Sequence, residues 1–169
     1  PRIELRARAE LMASLRQANR QADLDRQFEA LSEFRFGPRP VPGVITQIAA
    51  AHEFYERGRR PSADGSEGPS YESLVAARAC YSDLADHEPD EPEWAKRRGW
   101  ASLSIAENLR RQTYHGRALR HVKAARDVFD QNDWYGLARA LFVEGFCMKL
   151  QGKFDAARAP LTEALELVE

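Results

Sequence analysis

Lysine, cysteine and long apolar runs are what this 169-residue chain has least of. Lysine is confined to Lys96, Lys123, Lys149 and Lys153, so arginine carries almost all of the positive charge. Cations number 25 and acidic residues 26, for a formal net charge of −1. Such a balance leaves no global field to draw in nucleic acid or an anionic membrane. The arginines are spread over every helix and interleaved with Glu and Asp, which reads as solvated faces rather than a nucleic-acid groove. The two cysteines, Cys80 and Cys147, are too few for a disulfide scaffold and read as small buried hydrophobes in a reducing compartment. No stretch approaches the roughly 20 apolar residues of a membrane span, and no basic–apolar–small leader opens the chain, so the cytoplasm is the expected compartment. Pro1 is compatible with loss of an initiator Met, and ALELVE stops inside a helical pattern, so the natural chain is expected to run past Glu169.

Reaction chemistry is missing as well. His52-Glu53 has no second histidine four residues on, as a zinc-protease helix requires. His115 and His121 fall on different helix faces, and the acidic turn at Glu88, Asp90, Glu91 and Glu93 has neither the spacing nor the glycine of a calcium loop. There is no Walker lysine loop, no G-x-S-x-G and no Cys-x-x-Cys. The reading is therefore non-enzymatic, with no metal, no cofactor and no catalytic residue.

What the chain does have is helix periodicity throughout, with 43% hydrophobic and 30% charged residues and no competing strand pattern. Residues 1–36 form an N-terminal helical segment. Leu11, Leu15, Ala18 and Ala22 make one stripe there, and Leu24, Phe28 and Leu31 continue on a shifted phase. The shift near Asn19–Asp23 implies either a hairpin of two helices or one bent helix. GPRPVPG, Gly37–Gly43, holds three prolines and breaks the chain. Residues 44–169 then form an array: about 44–86, 92–131 and 134–169. Gly58 is placed to end its first helix, and the Arg59–Ser70 stretch is too polar and Gly/Pro-rich to pack, with Ser70 a candidate N-cap. Leu74, Ala77, Tyr81 and Leu84 share one face of the next helix. Trp94, Ala101, Ile105 and Leu109 line another, after Pro92 in its first turn. Leu119, Val122, Ala125 and Phe129 line the helix after that. Asp133 can cap the following one, and Phe154 opens the last.

Two parts of the array echo each other. Ala118 and Ala157, like Ala125 and Ala164, stand 39 residues apart, and a period of about 20–50 residues is the mark of stacked repeats. Within 138–169, Gly145 is the small residue where two helices cross. QGKFDAA supplies a glycine–aromatic turn, and Ala157, Leu161 and Ala164 lead into ALEL. On these residues the stretch resembles the tetratricopeptide family, in its long-helix bacterial regulatory form. The middle unit is similar, with Ala106 as the small residue and Ala118, Val122 and Ala125 in its second helix. A degenerate copy would have Ala51 as the small residue and Gly58 at the turn. Departures are Glu144 where the family has leucine, Met148 where it has a large aromatic, and no closing proline.

The resemblance implies an all-α, right-handed solenoid of antiparallel helix hairpins, with Phe154 plugging the space between units. The first helix of each hairpin would line a concave groove. Its residues would be Arg139, Phe142, Phe146 and Lys149 in the last unit, and Trp100, Leu103, Glu107 and Arg110 in the middle one. The degenerate unit would give Ile45, Ile48, His52 and Tyr55. Aromatic plates beside cations suit a peptide with apolar anchors and acidic residues. The aromatics could equally pack on neighbouring helices. The implied function is protein–protein interaction, as the sensory or scaffolding part of a larger bacterial signalling protein. The partner would be a protein, a peptide or an output domain of the same chain (a diguanylate cyclase, a nucleotide-driven switch or a transcription activator). Self-association through Leu161, Leu165 and Leu167 of the last helix, or through the N-terminal stripe, is the alternative.

Overall fold

The computed structural model describes residues 2–18, 20, 22, 23, 25–27, 29, 30, 43–59, 71–129 and 133–168. Among them every regular element is a helix: α1 Arg2–Gln17, α2 Gly43–Arg59, α3 Tyr71–His87, α4 Pro92–Arg111, α5 His115–Arg126, α6 Trp134–Leu150 and α7 Phe154–Glu166. From α2 onward each helix packs on the next in sequence. α1 packs on α2, and α4 also touches α6 across α5. No helix among the described residues is long and apolar enough to cross a membrane.

The apolar stripes explain the stacking. Leu74, Ala77, Tyr81 and Leu84 are all fully buried, as their spacing predicts, and so are Trp94, Ala101, Ile105 and Leu109 within a few per cent. A buried side chain of that size contributes about 1.5–3 kcal/mol. Pro92 sits in the first turn of α4, where its missing N–H has no helical acceptor to lose. Asp133 caps α6 by accepting from the Gly136 amide at 3.3 Å.

The last two hairpins share one turn. α4 ends at Arg111 and α6 at Leu150; α5 starts at His115 and α7 at Phe154; each pair is 39 residues apart. Thr113 N donates to Arg110 O and Tyr114 N to Leu109 O, and Gly152 N and Lys153 N repeat this to Lys149 O and Met148 O. These bonds satisfy the carbonyls left open at each helix end. The turn needs a left-handed residue, supplied by Gly152 at φ 75° and by Thr113 at φ 66°. A β-branched residue is strained there. Thr113→Gly is therefore expected to raise stability by about 1 kcal/mol, read as a higher urea midpoint at unchanged slope.

The crossing inside the last hairpin is as tight as the repeat requires. A Cβ at Gly145 would lie 2.5 Å from Leu161 Cγ and 3.0 Å from the Ala157 carbonyl oxygen. Gly58, expected to terminate α2, has another role. It lies inside the helix, and a Cβ there would come within 2.9 Å of the Leu74 amide nitrogen. It is a close-approach glycine between α2 and α3.

The N-terminal stripe also differs. Among the described side chains of α1, Ala9, Met12 and Leu15 are buried, whereas Leu11 is exposed, as are Ala18 and Ala22 beyond it. α1 stops at Gln17 and a turn follows at Ala18, so Ala18 and Ala22 do not continue its face. Helix resumes by 22, and Arg8 Nη1 donates to Gln27 Oε1 at 2.9 Å. Nineteen residues of straight helix would hold those two almost 30 Å apart, so the segment turns back on itself. Leu24, Phe28, Leu31, the proline-rich break and the loop before α3, with its proposed cap Ser70, lie outside the described residues.

Candidate functional site

Because α4 and α6 run alongside one another, most of the residues expected in a groove meet on one face. Glu107 of α4 accepts from the Arg139 guanidinium of α6. Arg110 lies over the Phe146 ring, 4.9 Å from its centre, and Lys149 Nζ approaches the same ring at 5.9 Å. Phe142 and Phe146 are ring neighbours at 5.8 Å, and Phe142 stands exposed. Cation–ring contacts of this kind contribute about 0.5–1 kcal/mol at exposed sites and hold the rings in a fixed orientation. Trp100 is half-buried, with its ring 5.1 Å from Phe129 and 5.8 Å from Tyr135, so it floors the strip and also packs.

Leu103 does not belong to this face. It is buried in the core, because α4 is covered by α3, α5 and α6 together. The degenerate unit offers no exposed strip at the expected positions either: Ile48, His52 and Tyr55 are buried, and the side chain of Ile45 lies outside the described residues. Phe154 fills no gap between units; it is two-thirds exposed at the start of α7. The packing positions Ala106, Ala118, Ala125, Ala157 and Ala164 are all buried, and Leu161 closes on Gly145.

Beside the strip lies a cleft of about 400 Å³ whose walls come from α1, α2, α3, α4 and α6. Its polar lining was invisible in the sequence. Behind the wall residue Tyr81, the buried His52 Nδ1 lies 2.8 Å from the Tyr81 hydroxyl. Arg97 donates to Glu10 at 2.8 Å, and its Nε lies 2.7 Å from Glu93. Burial raises the Tyr81 phenol well above its usual range, against the pull of Arg97. Burial works against the Arg97 charge, but Tyr81, Glu93 and Glu10 outweigh it and hold the guanidinium protonated above its ordinary range. Arg59 donates to the Tyr55 hydroxyl at 3.1 Å and lies over its ring. Burial opposes its charge too, yet Tyr55, Glu56 and Glu107 raise its pKa. The cleft is thus lined by cations and carboxylates together, Arg59, Lys96, Arg97 and Arg139 with Glu10, Glu56, Glu93 and Asp133, and carries no net field. The sequence holds Arg97, Tyr81 and His52 on three helices at spacings no motif marks.

The acidic turn is more than surface charge, since Glu88 accepts from Trp94 Nε1 at 2.9 Å. Cys147 is buried, and burial raises its thiol pKa, so it is an unreactive core thiol. No group of three or more His, Cys, Asp or Glu among the described residues is placed to hold a metal ion.

One histidine gives a pH dependence. Burial, then the charges of Arg78, Arg120 and Arg117, hold His121 below its ordinary 6.5. The folded chain binds less proton there than the unfolded one, so this stability is complete above about pH 6.5 and is lost as the pH falls toward the depressed value. His121→Gln is expected to flatten that limb of the profile, measured by urea midpoints on both sides of it.

Comparison of the chain with known protein families finds no match, and comparison with curated proteins finds none either.

Proposed function

We propose that the chain is a right-handed α-solenoid of tetratricopeptide-like hairpins that binds a protein or peptide partner along the first helices of its units. The observation that carries this reading is convergence: α2, α4 and α6, the first helices of the three hairpins, all line one cleft. The α4–α6 strip extends that cleft with an exposed aromatic, Phe142, beside Phe146, whose ring Arg110 and Lys149 approach, and with Arg139 held to Glu107. An apolar anchor would seat on Phe142 and Phe146, and acidic neighbours would meet the three cations. The use is recognition, with no reaction step and no cofactor. The family resemblance favours a cytoplasmic role as the sensory or regulatory part of a larger bacterial signalling protein, with an output domain of the same chain among its partners.

The test begins with peptides selected from a displayed library on the whole chain. Phe142→Ala and Phe146→Ala are each expected to weaken the selected peptides about 30-fold, the loss of a hot-spot side chain, with unchanged circular dichroism. Unchanged affinity in both variants, or loss of helicity with loss of binding, would overturn the reading and leave the rings as packing groups.

A further inference from the structure

Helix α5 departs from the charge balance of the rest of the chain. It holds Arg117, Arg120, Lys123 and Arg126 and no acidic residue, in a chain whose cations and carboxylates number 25 and 26. Two of these four cations have carboxylate partners: Lys123 reaches Asp127 at 3.2 Å, and Arg126 reaches Glu144 at 2.6 Å. Among the described residues no carboxylate pairs with Arg117 or Arg120. Arg117, Arg120 and His121 are three and four residues apart and so share one face of α5.

Arg78 of α3 joins them, again with no carboxylate partner among the described residues. Its Nε donates to the buried Ser102 hydroxyl of α4 at 3.1 Å, and α4 packs on both α3 and α5. Arg117 Nη2 reaches the Tyr71 hydroxyl of α3 at 3.5 Å, and its guanidinium lies 5.8 Å from the centre of the Tyr114 ring. These neutral contacts orient two of the guanidiniums and leave their charge uncompensated. After burial, the charges that hold His121 below its ordinary value are those of Arg78, Arg120 and Arg117, and no carboxylate is among them. Like charges gathered in this way oppose the fold, and an anion between them reverses the sign.

We infer that Arg78, Arg117, Arg120 and His121 form a binding site for a phosphate group, either free or carried on a side chain of a partner protein. The number of donors selects phosphate over carboxylate. One guanidinium fork satisfies the two oxygens of a carboxylate. A phosphate monoester brings three acceptor oxygens and close to two negative charges, which match three guanidiniums and an imidazole.

NMR of the His121 ring in the full chain tests this. The titrants are inorganic phosphate and, separately, a phosphoserine peptide of otherwise neutral residues, each against chloride at matched ionic strength. Phosphate is expected to shift the ring resonances saturably and to raise the His121 pKa, because a dianion offsets the arginines. Arg117→Gln and Arg120→Gln should each weaken binding at least about tenfold with wild-type circular dichroism, since both side chains are exposed. Arg158→Gln, exposed on α7, which packs on neither α3 nor α5, should leave binding unchanged. Tighter binding of the peptide than of the ion places the phosphate on a partner protein; equal or weaker binding makes the ligand a free phosphate. The inference is overturned if neither titrant moves His121 more than chloride does, or if both arginine variants bind like the wild type. It is overturned equally if the same peptide with aspartate for phosphoserine binds as tightly. None of these four residues lines the cleft or the α4–α6 strip, so this site and the proposed peptide groove are read independently.

Discussion

Gly145→Val should destabilise the chain by about 3 kcal/mol or more, a large part of the 5–15 kcal/mol available to a domain of this kind. The usual effect of giving a helical glycine a side chain is a gain of about 0.5–1 kcal/mol, because the unfolded chain loses freedom. At Gly145 that gain is overwhelmed. The new Cβ meets Leu161 Cγ at 2.5 Å and the Ala157 carbonyl oxygen at 3.0 Å. Leucine can rotate, but the α7 backbone cannot yield without parting the hairpin, and the two valine methyls enlarge the conflict. Gly58→Ala should cost less, about 1–2 kcal/mol, since its nearest atoms belong to the Leu74 side chain although the Leu74 nitrogen follows at 2.9 Å. Gly116→Ala is the control: no atom lies within 4 Å of its Cβ, and the change should be neutral or slightly stabilising. Urea unfolding of the three variants checks the order. Equal effects at Gly145 and Gly116 would mean that α6 and α7 do not cross where the repeat places them.

Periodicity reveals a helix and one of its faces, and where a helix has one covered face the sequence suffices. That is why α3 was legible to the residue in Leu74, Ala77, Tyr81 and Leu84, and the glycine of QGKFDAA likewise marked the turn at Gly152. α4 is different. It is packed by α3, α5 and α6, so Trp94, Gly99, Leu103 and Asn108 are all buried, and a stripe no longer tells core from groove. Leu103 was misplaced for that reason. Gly58 misled in another way, because a glycine near a helix end signals a cap and a close approach equally well, and only Leu74 distinguishes them. Phe154 was expected to plug the space between units, and its exposure follows from what stands beside α7 rather than from its own spacing. The polar cleft had no local signature at all, since Tyr55, Tyr81 and Arg97 come from three helices.

Arg97→Met should cost about 2–3 kcal/mol, whereas Glu10→Gln should cost less than about 1. The asymmetry follows from burial. The Arg97 side chain is 16% exposed and lies between Glu93, the Tyr81 hydroxyl and Glu10, while the Glu10 side chain is 72% exposed. Removing Glu10 surrenders one screened ion pair and leaves Arg97 bound to Glu93. Removing Arg97 leaves Glu93 without this cation and takes away the ion pair that ties α4 to Glu10 of α1, although methionine keeps much of the aliphatic packing. Lysine should rescue little, because one ammonium cannot serve two carboxylates in the fork that a guanidinium provides. Among the described side chains, Ala9, Met12 and Leu15 then hold α1 to the array. Amide exchange in α1 should accelerate in Arg97→Met beyond the loss in global stability, and in Glu10→Gln only slightly. If urea midpoints and α1 exchange moved equally in the two variants, Arg97 would be an exposed tether rather than the buried charge that joins the N-terminal segment to the cleft.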